Sequence, residues 1–216
     1  PFDSSYSLAI VNRETACAQA RAGYFVGVSG PEYALGRQPD WTYLSDSPEM
    51  QQLWQNSQVT RWRSQVLLRN NYPPLVSDMR AQINVLNGYA WEESAFPCSY
   101  VTSFNRKLDL ITVVSSMVKK ILRDNGVTTP IVVVGNGVDH LVDVEPSTRM
   151  PLGKGFRFLH ISSCFPRKGV DLLLKAWGQA FRKRDDVSLI IKTFPNPHND
   201  IERQLAAYQS TDPDYP

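Results

Sequence analysis

Apolar runs and helix-period stretches alternate along most of this chain. The segment from Ser4 or Ser5 to Ala22 predicts a helix: Asp3 and Ser4 are candidate caps, the middle is Ala-rich, and Gly23 stands where a C′ glycine belongs. Tyr24–Ser29 (YFVGVS) is a short apolar run closed by Gly30-Pro31 and predicts a strand. Residues 31–57 are rich in Pro, Asp, Ser and Gln and predict a loop with a short helix near Pro48 to Asn56. Gln65–Arg69 reads as a strand that must stop before Pro73-Pro74, and Gln82–Asn87 as another.

Leu108–Val114 (LDLITVV) is β-branched and apolar, and Ser115 can cap a helix that runs through Lys119, Lys120 and Arg123 to Gly126. Cations near that carboxyl end suit the helix dipole. Pro130 opens a strand Ile131–Val134, which Gly135-Asn136-Gly137 breaks. The polar, Pro- and Gly-containing stretch 146–155 reads as a linker. Beyond it the alternation restarts with strands Phe156–Ser162 and Val187–Phe194. Between them Val170, Leu173, Leu174, Trp177 and Phe181 form one face of an amphipathic helix, and Asn199–Gln209 begins a further helix. Continuously apolar strands joined through helices predict parallel sheets covered on both faces. The expected class is therefore α/β, with two doubly wound parallel-sheet domains, 1–145 and 156–216, joined by 146–155. A single βαβ unit cannot cover both faces of its own sheet, so the second domain is expected to be truncated.

Composition narrows the function classes. The chain has 216 residues, 42% hydrophobic, and a net charge of +2. That profile is globular, and the weak net charge supplies no electrostatic footprint for nucleic acid. No apolar stretch reaches the length of a membrane span. Cys17, Cys98 and Cys164 are odd in number and form no C-x-x-C pair, which argues against a disulfide framework and for a reducing compartment. His140, His160 and His198 are too dispersed for metal-ligand spacing, so no metal is expected. The chain opens on Pro1 rather than Met, and the expectation is a piece of something longer.

The richest candidate chemistry is Ser162-Ser163-Cys164-Phe165-Pro166-Arg167-Lys168-Gly169, between a predicted strand and a predicted helix. In open α/β sheets ligands bind beyond the carboxyl ends of strands, and free amides at a helix start favour anions. Arg167 is a planar fork for phosphate, Lys168 a mobile point charge, and Gly169 lets a phosphate approach the backbone. The bland alternative, a solvated basic turn, carries about equal weight on spacing alone, since short motifs match often by chance.

The run FRFLHISSCFPRKGVDLLLKAW, with VVVGNGVDH and the opening PFDSSYSLAIVNRETA, resembles the retaining glycosyltransferases of family 4, which have the two-domain GT-B architecture. The resemblance spans nearly the whole chain in three ordered segments. It implies two Rossmann-like domains, the first lacking its first strand, and a cytoplasmic enzyme, peripheral at the inner membrane face where its acceptor requires it. The implied reaction transfers a sugar, of hexose type, from a nucleotide-diphosphate sugar to a glycan or lipid-linked acceptor with retention. No cofactor is implied beyond that donor substrate, and the isolated piece is expected to be inactive. In the family a Gly-Arg-x-x-x-x-Lys-Gly segment holds the donor diphosphate; Lys168 and Gly169 match it, while Ser162 and Ser163 replace the Gly-Arg pair. Arg167 is the candidate substitute cation. Asn196-Pro197-His198 stands where a Gly-rich donor loop is common.

By the same resemblance Asp3, Ser4 and Ser5 would face an interdomain cleft, with simple helix capping the preferred alternative. Asn136 and Gly137 belong to the turn that ends the first domain. Trp91, Glu92 and Glu93 follow a predicted strand; an aromatic face and two carboxylates suit sugar binding, so Glu92 and Glu93 are weak catalytic candidates where the family often has a His. The preferred alternative is a surface loop anchored by Trp91. Lys119, Lys120 and Arg123 could touch anionic lipid or form a solvated face. The rival functions are a non-catalytic α/β protein binding an anionic ligand and a GT-B sugar-nucleotide epimerase.

Overall fold

The computed structural model describes residues 2–4, 6–30, 39–44, 47–59, 64–145, 153 and 155–216. The chain divides into two compact units, Pro1–Val142 and Asp143–Pro216. The described residues form an α/β protein in which all assigned strand pairs are parallel.

In the first unit, helix α1 (Ser7–Arg21) and helix α2 (Pro48–Ser57) precede the sheet. Four strands follow, β1 (Val66–Arg69), β2 (Ile83–Tyr89), β3 (Leu110–Val113) and β4 (Ile131–Val133), lying side by side in the order of the chain. Helix α3 (Cys98–Lys107) joins β2 to β3, and helix α4 (Ser116–Asp124) joins β3 to β4. The largest core packs Leu86 and Tyr89 of β2 and Ile111 and Val113 of β3 against Phe104 of α3 and Val118 and Leu122 of α4. A second core gathers Phe2, Ala16, Cys17, Val28, Met50, Leu53 and Trp54 around α1 and α2.

The second unit is one βαβ with a trailing helix: β5 (Phe156–Ile161), α5 (Val170–Ala180), β6 (Val187–Lys192) and α6 (Ile201–Thr211). Val170, Leu174 and Trp177 are buried along one face of α5, as the sequence spacing predicts. Phe158 sets its ring edge-on to Trp177 at 5.4 Å.

The sequence expectations fail at three places. Tyr24–Ser29 forms no strand: it joins neither sheet, and its polar groups go elsewhere, with Val28 N–H donating to the Leu53 carbonyl and the Asn56 amide donating to the Val26 carbonyl. Asp3 and Ser4 do not cap α1. Tyr6 is its N-cap residue, without a side-chain cap bond, and the buried Asp3 carboxylate instead accepts the Asp40 N–H at 3.0 Å. Helix α3 is the third, a helix without a predicted counterpart. Pro97 starts it with no side-chain cap, and its one buried residue, Phe104, carries the half-buried Tyr100 ring stacked beside it. The predicted cap at Ser115 is present, its Oγ accepting the Val118 N–H at 3.3 Å.

Candidate functional site

In the second unit the chain leaves β5 at Ile161 and reaches α5 through the turn 162–169. Ser162 closes this turn: its Oγ accepts the Cys164 N–H at 3.0 Å and lies 2.7 Å from His160 Nε2. Cys164 is buried and left-handed at φ 53°, a conformation that costs a non-glycine residue roughly 1 kcal/mol. Pro166–Lys168 form one short turn of 3-10 helix, which brings Arg167 and Lys168 to the surface immediately before α5. Gly169 caps α5 at φ 67°, and nothing lies within 4 Å of where its β-carbon would stand. No side chain caps α5, so the first-turn amides keep the positive partial charge of a helix start.

The loop after β6 meets this turn. Asn196 donates from Nδ2 to the Ser163 carbonyl at 2.9 Å, and the His198 ring stands edge-on to Phe165 at 5.3 Å. Together they border an open hollow of about 410 Å³, lined by Cys164, Phe165, Asp171, His198, Asp200 and Arg203 among others. Arg167 and Lys168 are not part of that lining. Asp200 accepts from Arg203 and Gln204, which holds its carboxyl below the usual range. The arrangement therefore offers an uncapped helix start, two exposed cations in the preceding turn, and a ring-walled hollow alongside. Of the residues predicted for an anion site, Ser162 spends its hydroxyl within the turn and Ser163 is half-buried with its carbonyl held by Asn196, while Arg167 and Lys168 are exposed and Gly169 is half-buried at the start of α5.

In the first unit, the parallel sheet gathers the carboxyl ends of its strands along one edge. Trp91 follows β2 and is anchored rather than open: Nε1 donates to the Ala95 carbonyl at 2.9 Å and the ring packs edge-on to Phe96 at 4.9 Å. Glu92 and Glu93 are exposed in the same loop. Asn136 and Gly137 are exposed just beyond β4. Asp3 is committed to Asp40, Ser4 offers its carbonyl to Arg13 at 2.6 Å, and Ser5 lies outside the described residues. The Lys119, Lys120 and Arg123 group splits its contacts, Lys120 pairing with Asp124 and Arg123 donating to the Val127 carbonyl.

Sequence reasoning missed Asn70, Asn71 and Asn87, which line a groove at this edge. Gly88, beside Asn87, is left-handed at φ 59° where the β2–β3 register shifts, and its N–H donates to Thr112 Oγ1 at 2.7 Å. The one available signal was the polar pair Asn70-Asn71 at the end of the strand Gln65–Arg69.

Among the described residues no group of His, Cys, Asp and Glu is arranged to hold a metal ion, and no helix is long and apolar enough to cross a membrane. No family model, curated protein or solved structure matches the chain.

Proposed function

We propose that this chain is part of a retaining glycosyltransferase of GT-B type, and that the turn Ser162–Gly169 holds the diphosphate of a nucleotide-sugar donor. The observation that carries the reading is the start of α5. Gly169 is left-handed with open space around it, no side chain caps the helix, and Lys168 and Arg167 stand exposed in the preceding turn. As the bond between sugar and diphosphate breaks, negative charge develops on the leaving diphosphate. Preorganised amides and two cations stabilise that charge without a base or a metal.

The other residues then take supporting roles. Asn196, where a Gly-rich loop is common in the resembled family, fixes the second strand-end loop against Ser163. The acceptor glycan or lipid-linked sugar is assigned to the first domain, with Glu92 and Glu93 as its exposed carboxylates. In the full-length parent, Lys168→Ala is expected to abolish most transfer from nucleotide-diphosphate sugars while the fold stays intact. Unchanged turnover removes Lys168 from the site.

A further inference from the structure

An asparagine deamidates most readily before glycine, which has no side chain to keep its amide nitrogen away from the neighbouring carboxamide carbon. The chain carries three such pairs, Asn87-Gly88, Asn125-Gly126 and Asn136-Gly137, and the fold treats them differently. At the first, Gly88 is buried; its N–H donates to Thr112 Oγ1 at 2.7 Å, and the same hydroxyl donates to Asn87 Oδ1 at 3.0 Å. At the second, Asn125 Nδ2 donates to the Ser94 and Ile121 carbonyls, each at 2.9 Å, and its Oδ1 accepts the Phe96 N–H at 3.2 Å. The Gly126 N–H donates to the Arg123 carbonyl at 3.0 Å. In both pairs the attacking nitrogen and the carboxamide are committed elsewhere. At the third, Asn136 and Gly137 are exposed beyond β4, and among the described residues neither the Asn136 carboxamide nor the Gly137 N–H makes a hydrogen bond.

We propose that Asn136 is a site of spontaneous modification, converted to aspartate and isoaspartate in its exposed turn while the fold protects Asn87 and Asn125. The inference needs nothing from the glycosyltransferase reading. The Gly137 nitrogen gives up its proton to water and attacks Asn136 Cγ; the N–Cγ bond forms, the Cγ–Nδ2 bond breaks and ammonia leaves. Water then opens the cyclic succinimide. Opening at Cγ yields aspartate, and opening at the main-chain carbonyl yields isoaspartate, whose backbone runs through an extra methylene. Either product adds a negative charge. Asp139 Oδ2 already stands 3.4 Å from where a β-carbon on Gly137 would lie, so the reaction sets a second carboxylate in a turn that holds one, and like charges repel.

The test ages the full chain near neutral pH and follows the three peptides by digestion and mass spectrometry. Isoaspartate is counted through methyl transfer from S-adenosylmethionine by a protein isoaspartyl carboxyl methyltransferase. In the folded chain Asn136 is expected to convert about tenfold or more faster than Asn87 or Asn125, because those two must first open locally. In urea the three rates are expected to converge, since the dipeptide is the same. Gly137→Ala, whose methyl group has room at 3.4 Å from Asp139 Oδ2, is expected to slow conversion of Asn136 by about tenfold and leave the other two sites unchanged. Conversion of Asn87 or Asn125 as fast as Asn136 in the folded chain overturns the proposal, as does a rate at Asn136 that urea raises as much as at the other two. An unchanged rate in Gly137→Ala overturns the succinimide route.

Discussion

Tyr215 occupies the space that a β-carbon at position 178 would need: a methyl group on Gly178 would stand 2.5 Å from the tyrosine ring. The ring cannot swing away freely, because its hydroxyl donates to the buried Leu174 carbonyl at 2.9 Å and its face stacks on Tyr208 at 5.2 Å. Gly178 therefore lies mid-helix in α5 for packing. By propensity alone Gly178→Ala would gain about 1 kcal/mol, yet overpacking of this kind costs about 1–3 kcal/mol. The expected outcome in denaturant unfolding is net destabilisation, reversed to a gain when Tyr215→Ala is already present. Additive effects would show that the two residues do not share this space.

Tyr89 presents the opposite case, a polar atom without a partner. Its ring is 3% exposed, set edge-on to Phe104 at 5.7 Å, and its hydroxyl makes no hydrogen bond. Desolvation pushes its pKa upward. Tyr89→Phe removes a buried unsatisfied group at constant shape, so stability is expected to stay level or rise by about 1 kcal/mol. A loss of more than about 1 kcal/mol in urea unfolding would reveal a bond made by that hydroxyl.

The cysteines should separate chemically. Cys98 is exposed, whereas Cys17 is buried beside Met50 and its thiol is pushed up to about 11, first by burial and then by the Glu49 carboxylate. Iodoacetamide near pH 8 is expected to alkylate Cys98 and leave Cys17 untouched in the folded chain, because the thiolate is the nucleophile. The sign for stability follows from the raised value. Folding binds this proton more tightly than the unfolded chain does, so the contribution is complete below pH 9 and is lost as pH rises through about 11. Equal labelling of the two thiols, or stability that climbs across that interval, would contradict this assignment.

Much of the second unit was legible in its sequence because its signals are mutually consistent. The helical face of Val170, Leu174 and Trp177 and the two flanking strands all point to one βαβ unit. In the first unit, the apolar content of Tyr24–Ser29 predicts a strand, but strand formation needs a ladder partner and this run has none among the described residues. Helix α3 escaped because Ser99 to Phe104 are all β-branched, aromatic or hydroxylated, types of modest helix propensity, and only packing of Phe104 into the core reveals its period. The candidate site divides the same way. Lys168 and Gly169 stand out as candidates from their place between a strand and a helix and from the family resemblance, while the Asn196 bond to Ser163 and the unpartnered Asn70 amide arise from long-range placement.

The most direct measurement is a titration of the chain with uridine diphosphate and guanosine diphosphate, followed through amide chemical shifts. A diphosphate site at the α5 start predicts weak, saturable binding, with Kd of about 1 mM or above, and shifts concentrated at Ser163, Lys168, Gly169 and Val170. It further predicts that Lys168→Ala weakens binding by about tenfold or more. Shifts absent from this turn, or unchanged affinity in Lys168→Ala, would contradict the assignment of the α5 start as a diphosphate site.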